Sequence, residues 1–402
     1  MKDKVIWYIS KYSSPKKYHM GSRHYSYSKV WNKNGNDSIV FTSNSSHRIL
    51  NLPKFKKLSY LELNEGVKTV WLNGFGIIGS GGISRFISWV IFELVLLSID
   101  KRKYGKPDVV IASSLSLISV WTSWYLSRKH KSKFVFEVRD VWPKSIEVLK
   151  NYKPYNPLIQ FLRLTERFGY EKADIIVGTM PNLKERVMEV NPELSEKVYC
   201  VPQCYDEDFY ESEQEELDPD YVLKYMKSDL FTIGYAGTLS ENNPLEELFQ
   251  IGVENRDIRI LIAGYGKLLS VYKNRFSQFD NIIFVPKVKK SQVQNLLGYV
   301  DVCYDSIDSE LAKYGLSRNK WIDYMMAGKP IICSMDGYRS MINEADCGYF
   351  VSPQNDSELS EKINVLKSDS SLCKRLGRNG YEWILKERSA TVIANYYSKL
   401  LC

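Results

Sequence analysis

Between Tyr314 and Ile332 the chain reads Tyr-Gly-Leu-Ser-Arg-Asn-Lys-Trp-Ile-Asp-Tyr-Met-Met-Ala-Gly-Lys-Pro-Ile-Ile. Two cations, Arg318 and Lys320, and one carboxylate, Asp323, precede an apolar face and a Gly328-Lys329-Pro330 exit into a strand. Ser317 or Asn319 is placed to cap a helix that turns Trp321, Ile322, Met325 and Met326 inward, with Gly328 ending it. Free backbone N–H groups, the helix dipole and the two cations at such a start favour a phosphate. Asp323, one turn on, can accept hydrogen bonds from sugar hydroxyls. An amphipathic helix with a solvated charged face would show the same pattern, so the surrounding elements must decide.

Those elements repeat one grammar. Val5–Ser10 reads as a buried strand, followed by a loop with Gly21, Ser22, Arg23 and His24 and by a helix through Trp31. Further strands are predicted at 38–42, 107–114, 133–143, 173–178 and 198–201, with helices between them, including an apolar one at 83–99. From Tyr60 to Trp71 the pattern is weaker. Gly74–Gly82 reads as a glycine-rich loop on the substrate side, without the Gly-Lys-Ser/Thr ending of a P-loop. The acidic, proline-bearing segment 206–229 reads as a linker. Glycine-ended strands then resume at 230–238 and 259–266, followed by strands at 281–285, 300–304, 330–333 and 348–351. A helix is predicted from 337–341 and a helical region over 370–400. Strand–helix alternation of this kind implies doubly wound parallel sheets, which bind ligands at the carboxyl ends of their strands.

The 402 residues are 44% apolar and 25% charged, a soluble globular composition of more than one domain. Net charge is +8, but residues 1–205 carry +15 and residues 206–402 carry −7. A basic half suits a diphosphate-bearing substrate or an anionic membrane surface. No zinc-finger or RNP1 signature supports nucleic acid. Seven scattered cysteines without paired spacing imply free thiols in a reducing compartment and no metal site. The N-terminal apolar run is too short for a signal segment.

Gly-Thr-Leu at 237–239, Ile-Ala-Gly-Tyr-Gly at 262–266, the 317–332 run and Cys-Gly-Tyr-Phe-Val at 347–351 resemble the donor-binding half of group 4 glycosyltransferases. Pro107–Ser114, Phe136–Pro143 and Ala173–Val177 are similar to the branch that builds bacterial surface polysaccharides such as O-antigen and capsule. The resemblance implies an α/β GT-B fold of two facing Rossmann-like domains with an interdomain cleft. It implies an acceptor domain at 1–205, the linker at 206–229, a donor domain at 230–380 and a C-terminal helix at 381–402 packing toward the first domain. It implies a retaining, metal-independent enzyme without a cofactor. The sugar, an N-acetylated amino sugar being one candidate, passes from a nucleotide donor, UDP-linked, to a lipid-diphosphate glycan at the inner face of the cell membrane, where the protein sits peripherally.

By the same resemblance, Gly237, Thr238 and the Asn319/Lys320 helix start meet the donor pyrophosphate, where the charge of Arg318 also places it among the donor-binding residues, Asp323 meets the ribose, Gly264 and Gly266 the nucleotide cleft, and backbone near Val288 the base. Gly21, Ser22, Arg23 and His24 fall on the acceptor side. Asp140 follows the position of the family's frequent active-site histidine, here Arg139, and with Lys320 these form the catalytic set. Two departures stand out. Gly315 replaces the first motif glutamate, and the usual Arg/Lys dyad falls on Thr238 and Asn243. Lys320, with Arg318, is therefore expected to neutralise the leaving diphosphate. None of the histidines 19, 24, 47 and 130 sits in a recognisable constellation, so each reads as an ordinary surface or loop residue. Two other readings fit the motifs: a nucleotide-sugar epimerase of the same build, and a non-catalytic nucleotide-sugar-binding subunit.

Overall fold

A computed structural model describes residues 3–18, 23–46, 51–77, 82–150, 152–308 and 310–402, without the side chains of 149 and 150. The chain forms two compact units, residues 1–202 with 390–402, and residues 203–389.

The first unit carries strands β1 (Val5–Ile9), β2 (Asp37–Ser43), β3 (Ser59–Asn64), β4 (Val67–Leu72), β5 (Val109–Ser113), β6 (Lys133–Val138), β7 (Ile175–Gly178) and β8 (Val198–Cys200). They form one sheet in the order β3-β4-β2-β1-β5-β6-β7-β8, parallel throughout except for the β3–β4 pair. That pair is a hairpin in the stretch whose sequence pattern is weaker. Its turn residues Glu65 and Gly66 both have positive φ (46° and 78°), the backbone of a two-residue hairpin turn. The helices are α1 (Arg23–Lys33), α2 (Gly82–Ser98), α3 (Ser119–His130), α4 (Lys144–Lys150), α5 (Pro157–Lys172) and α6 (Leu183–Val190). On one sheet face Trp7, Ile9, Phe41 and Val110 pack against Phe92, Leu96 and Leu126. On the other, Tyr8 stacks on Trp31 of α1.

The second unit opens with α7 (Glu207–Ser212) and α8 (Pro219–Tyr225). The segment read as a linker is therefore folded: Asp206 and Asp218 cap these helices by accepting from Phe209 N (3.1 Å) and Asp220 N (2.9 Å). Leu217 and Met226 are buried in the unit's core. Acidic side chains at such positions complement helix starts, which is why the stretch looked like a solvated connection. Strands β9 (Phe231–Thr238), β10 (Ile258–Tyr265), β11 (Ile282–Val285), β12 (Val302–Ile307), β13 (Ile331–Met335) and β14 (Gly348–Val351) make a six-stranded parallel sheet. Helices α9 (Glu246–Glu254), α10 (Leu269–Phe276), α11 (Val293–Gly298), α12 (Asn319–Met326), α13 (Asp356–Ser368) and α14 (Ser370–Glu387) cover it. No helix forms at 337–341, where Gly337 adopts φ 148° and Met341 φ 58°. The final helix, α15 (Ala390–Leu400), belongs to the first unit, where Trp31 Nε1 donates to Ala394 O (2.8 Å) and Trp31 meets Tyr397 edge-on.

The order β11-β10-β9-β12-β13-β14 reverses between β9 and β12. In open parallel sheets a crevice forms at the carboxyl ends of the strands flanking that reversal. Tyr235 to Thr238 end one of these strands, and Asp305 to Ile307 end the other.

Candidate functional site

The buried carboxylate of Asp305 organises the crevice. It is fully shielded from solvent, and burial of a charge requires partners. Its Oδ1 lies 2.9 Å from Lys320 Nζ, and its Oδ2 accepts from Trp321 Nε1 (2.8 Å) and lies 3.3 Å from Arg318 Nε. Lys320 Nζ also donates to Tyr235 OH (2.9 Å) and sits 4.3 Å above that ring, while Tyr235 OH donates to Thr238 O (2.7 Å). Arg318 donates through a second nitrogen to Asn243 Oδ1, and Asn243 Nδ2 reaches Ser240 Oγ (3.0 Å).

Two cations thus share one carboxylate. The side chains of Lys320 and Arg318 are only 12% and 19% exposed, so the surplus positive charge is poorly solvated. Burial, opposed by Asp305 and assisted by Arg318, lowers the Lys320 ammonium to about 8. Burial, then Asp305, pushes the Tyr235 phenol up, so it stays neutral. A surplus cation in a dry crevice is stabilised by an incoming anion.

Glycines make the space. A Cβ on Gly237 would stand 3.1 Å from Lys320 Cε, and one on Gly264 would stand 2.5 Å from Gly237 O. Gly266 has φ 135°, and a Cβ there would meet Leu239 O at 2.2 Å. Helix α12 starts at Asn319 with Arg318 as N-cap and no side-chain cap. Ser317, expected as a cap, instead accepts from Gln203 N (2.8 Å). Its uncapped first turn and the two cations therefore stand side by side.

Residues 226–383 match the family model for glycosyl transferases group 1. The chain is a glycosyltransferase. No curated protein matches it in sequence. Its two-unit fold is the GT-B fold of several solved structures. Sucrose-phosphate synthase from Thermosynechococcus elongatus is 16% identical, with 98% of this chain and 97% of that one covered at a TM-score of 0.69. Anabaena HepE in complex with UDP and glucose is 11% identical, with 99% of each covered at 0.65. WaaG, a glycosyltransferase involved in lipopolysaccharide biosynthesis, is 11% identical, with 99% of each covered at 0.62.

In this glycosyltransferase the structure brings Gly237, Thr238, Arg318, Asn319 and Lys320 to one crevice, with Gly264 beside Gly237 across the β9–β10 register. Val288 packs, partly buried, against the unit's core. Asp323, one turn further along α12, has partners of its own. Its carboxylate pairs with Lys290 and accepts from Tyr210 OH (2.5 Å), and the residue is 8% exposed. Asp305 and Tyr235 were not singled out from sequence, and Asn243 was named only as an uncharged dyad position. Asp305 lies one residue past the expected end of its strand at 304.

In the first unit Asp140 accepts from Trp142 Nε1 (2.9 Å) and from Ser145 Oγ, shaping the turn into α4. Arg139 N donates to Ser114 Oγ (2.8 Å). Gly21 and Ser22, with His19 and His47, lie outside the described residues. His24 is not a surface residue: it is fully buried on α1, with Nε2 2.8 Å from Ser113 Oγ and 3.4 Å from Glu137 Oε1. Burial holds its imidazole down to about 4 despite Glu137, so it is neutral at pH 7. Burial would raise Glu137, but Arg23, His24 and Tyr8 hold its carboxyl well below the usual range. Tyr8 OH donates to Glu137 at 2.5 Å. Among the described residues no group of three or more His, Cys, Asp or Glu side chains could hold a metal ion.

Proposed function

We propose that this glycosyltransferase moves a sugar, with retention and without a metal, from a UDP-linked donor to a lipid-diphosphate glycan during surface polysaccharide assembly. An N-acetylated amino sugar is the candidate group. Arg318 and Lys320 on the single carboxylate of Asp305 carry the reading, because a nucleoside diphosphate is the anion such a crevice stabilises and the leaving group whose charge must be neutralised. UDP is favoured by the HepE complex, and a surface glycan by the involvement of WaaG in lipopolysaccharide biosynthesis. The family's dyad positions, Thr238 and Asn243, carry no charge, and Arg318 held on Asn243 supplies the guanidinium from α12 instead. In the first unit Arg23 and His24, which follow Gly21 and Ser22 in sequence, are assigned to the acceptor side, and Arg139 and Asp140 to the catalytic set. The basic first half suits the inner face of an anionic membrane.

The pH dependence of UDP binding tests the phosphate site. Lys320 is held near 8 when free, and a bound diphosphate stabilises its ammonium and raises that value. Binding at pH 8 therefore takes up protons, binding at pH 6.5 takes up almost none, and affinity falls as pH rises past 8. Calorimetry in buffers of different ionisation enthalpy reads the uptake. Uptake no larger at pH 8 than at pH 6.5 removes Lys320 from the phosphate site. Incubation with nucleotide sugars, with and without lipid-diphosphate acceptor, separates transfer from acceptor-independent epimerisation and from binding without turnover.

Asp323 holds the ribose in this reading and shares its carboxylate with Lys290. Asp323→Asn is then expected to weaken UDP by about tenfold, the loss of one charge-assisted hydrogen bond, and to leave inorganic pyrophosphate unchanged. Equal losses for both ligands would place Asp323 in the scaffold alone.

A further inference from the structure

Three helices of the first unit leave apolar side chains in solvent on one layer. The crossover from β4 to the parallel strand β5 runs through α2, so α2 must return antiparallel to the sheet, with Gly82 at the carboxyl edge and Ser98 at the amino edge. Along α2 the exposed large residues are Ile83 (79%), Ile87, Leu94 (58%) and Leu97, at spacings of four, seven and three. Those spacings place all four on one helix face. The opposite face carries Trp89, Phe92, Val95 and Leu96 into the core. Its carboxylate, Glu93, also points inward, where it accepts from Ser119 Oγ of α3.

The stripe continues sideways. Phe86 of α2 meets Phe161 of α5 at 6.2 Å, and Trp121 of α3 stacks on Phe168 of α5 at 3.7 Å. The outward positions there are Trp121 and Tyr125 on α3, and Phe161 and Leu164 (64% exposed) on α5. No acidic residue occurs on α3, so the outward faces of α2 and α3 carry no carboxylate.

Cations gather at one end of the stripe. Lys101 caps α2 by donating to Leu96 O (2.7 Å) and Leu97 O (3.0 Å). Lys129, one turn after Tyr125, and Lys106 crowd the same spot: burial first, then Lys129, Lys106 and Lys101 depress the His130 imidazole. None of these three lysines has an acidic partner within 4 Å among the described residues. No described helix is long and apolar enough to cross a membrane, so an apolar face with a basic end is suited to lying on a bilayer.

The geometry points to the α2–α3–α5 layer as the face that docks on an anionic lipid bilayer, with Ile83, Ile87, Leu94 and Leu97 entering the headgroup–acyl boundary and Lys101, Lys106 and Lys129 meeting anionic headgroups. This rests on the membrane-bound acceptor proposed above and names the surface that reaches it. The Ile83 end of the stripe lies at the carboxyl edge of the sheet, the edge from which α1, with Arg23 and His24, begins. A lipid-carried diphosphate held in the headgroup plane arrives at that edge. A protein partner would be expected to meet the lysines with carboxylates, whereas a second copy of the chain would set like charges against each other.

Co-sedimentation of the full chain with phosphatidylcholine vesicles, with and without phosphatidylglycerol, tests the assignment. Wild type, Ile87→Glu/Leu94→Glu and Lys106→Glu/Lys129→Glu are compared, each checked by thermal melting and UDP binding. Wild type is expected to bind phosphatidylglycerol vesicles and to lose binding with salt. The Ile87→Glu/Leu94→Glu protein should partition at least about tenfold less, and the Lys106→Glu/Lys129→Glu protein should lose the preference for anionic lipid. If wild type binds and both variants bind equally well, this face is wrong while membrane attachment stands. If wild type binds no vesicle, membrane attachment itself is wrong. A wild-type dimer that Ile87→Glu/Leu94→Glu splits, without vesicle binding, makes the face a self-interface and overturns the proposal.

Discussion

Lys320→Ala is expected to lower turnover at saturating nucleotide sugar by about 10²–10³-fold, the loss typical of removing a preorganised electrostatic donor from a developing charge. The effect follows from placement. Lys320 Nζ is fixed at both ends of its range, on Asp305 at 2.9 Å and on Tyr235 at 2.9 Å, so little reorganisation is needed when the diphosphate leaves. Lys320→Arg keeps the charge, but a longer, planar guanidinium does not reproduce the single point from which Nζ meets both Asp305 and Tyr235, so rescue should be partial. A loss of turnover within about threefold would show that the leaving diphosphate is neutralised elsewhere.

Asp305→Ala is expected to be the most destabilising single change in the second unit. It leaves Lys320, Arg318 and the Trp321 indole without their shared acceptor, and breaking a buried ion pair from one side typically costs about 3–5 kcal/mol. Urea unfolding followed by circular dichroism reads the loss as a lower midpoint with unchanged slope. Asp305→Asn keeps an acceptor for Trp321, so it separates packing from charge. It should fold, yet bind UDP with altered pH dependence, because the counter-charge that favours the Lys320 ammonium is gone. An unfolding free energy for Asp305→Ala within about 1 kcal/mol of wild type would mean that water replaces the carboxylate and that the cluster is not preorganised.

Both variants turn on a residue that sequence alone did not bring forward, and the reason is physical. Apart from β3 and β4 the strands were readable, most of them because they bury an apolar run, and glycines at 237, 264 and 266 marked the carboxyl ends of β9 and β10. Helix α12 was readable from its periodic apolar face. Asp305 has no local signature, since its partners sit 13 to 16 residues ahead on α12, and Lys320's other partner, Tyr235, is 85 residues back. Asp323 looked available because its partners, Tyr210 and Lys290, are 113 and 33 residues away. His24 looked like a loop residue because the Glu137 and Ser113 that bury it arrive on β6 and β5. The β3–β4 hairpin, by contrast, had a local signal in Glu65-Gly66.

Calorimetric titration of UDP into wild type and Lys320→Ala at pH 7 is the most direct test that the β9–β12 crevice is the donor-diphosphate site. Wild type should bind with one-to-one stoichiometry, and Lys320→Ala should bind at least about tenfold more weakly, as loss of a charge-assisted contact requires. Equal affinities in the two proteins would contradict the account.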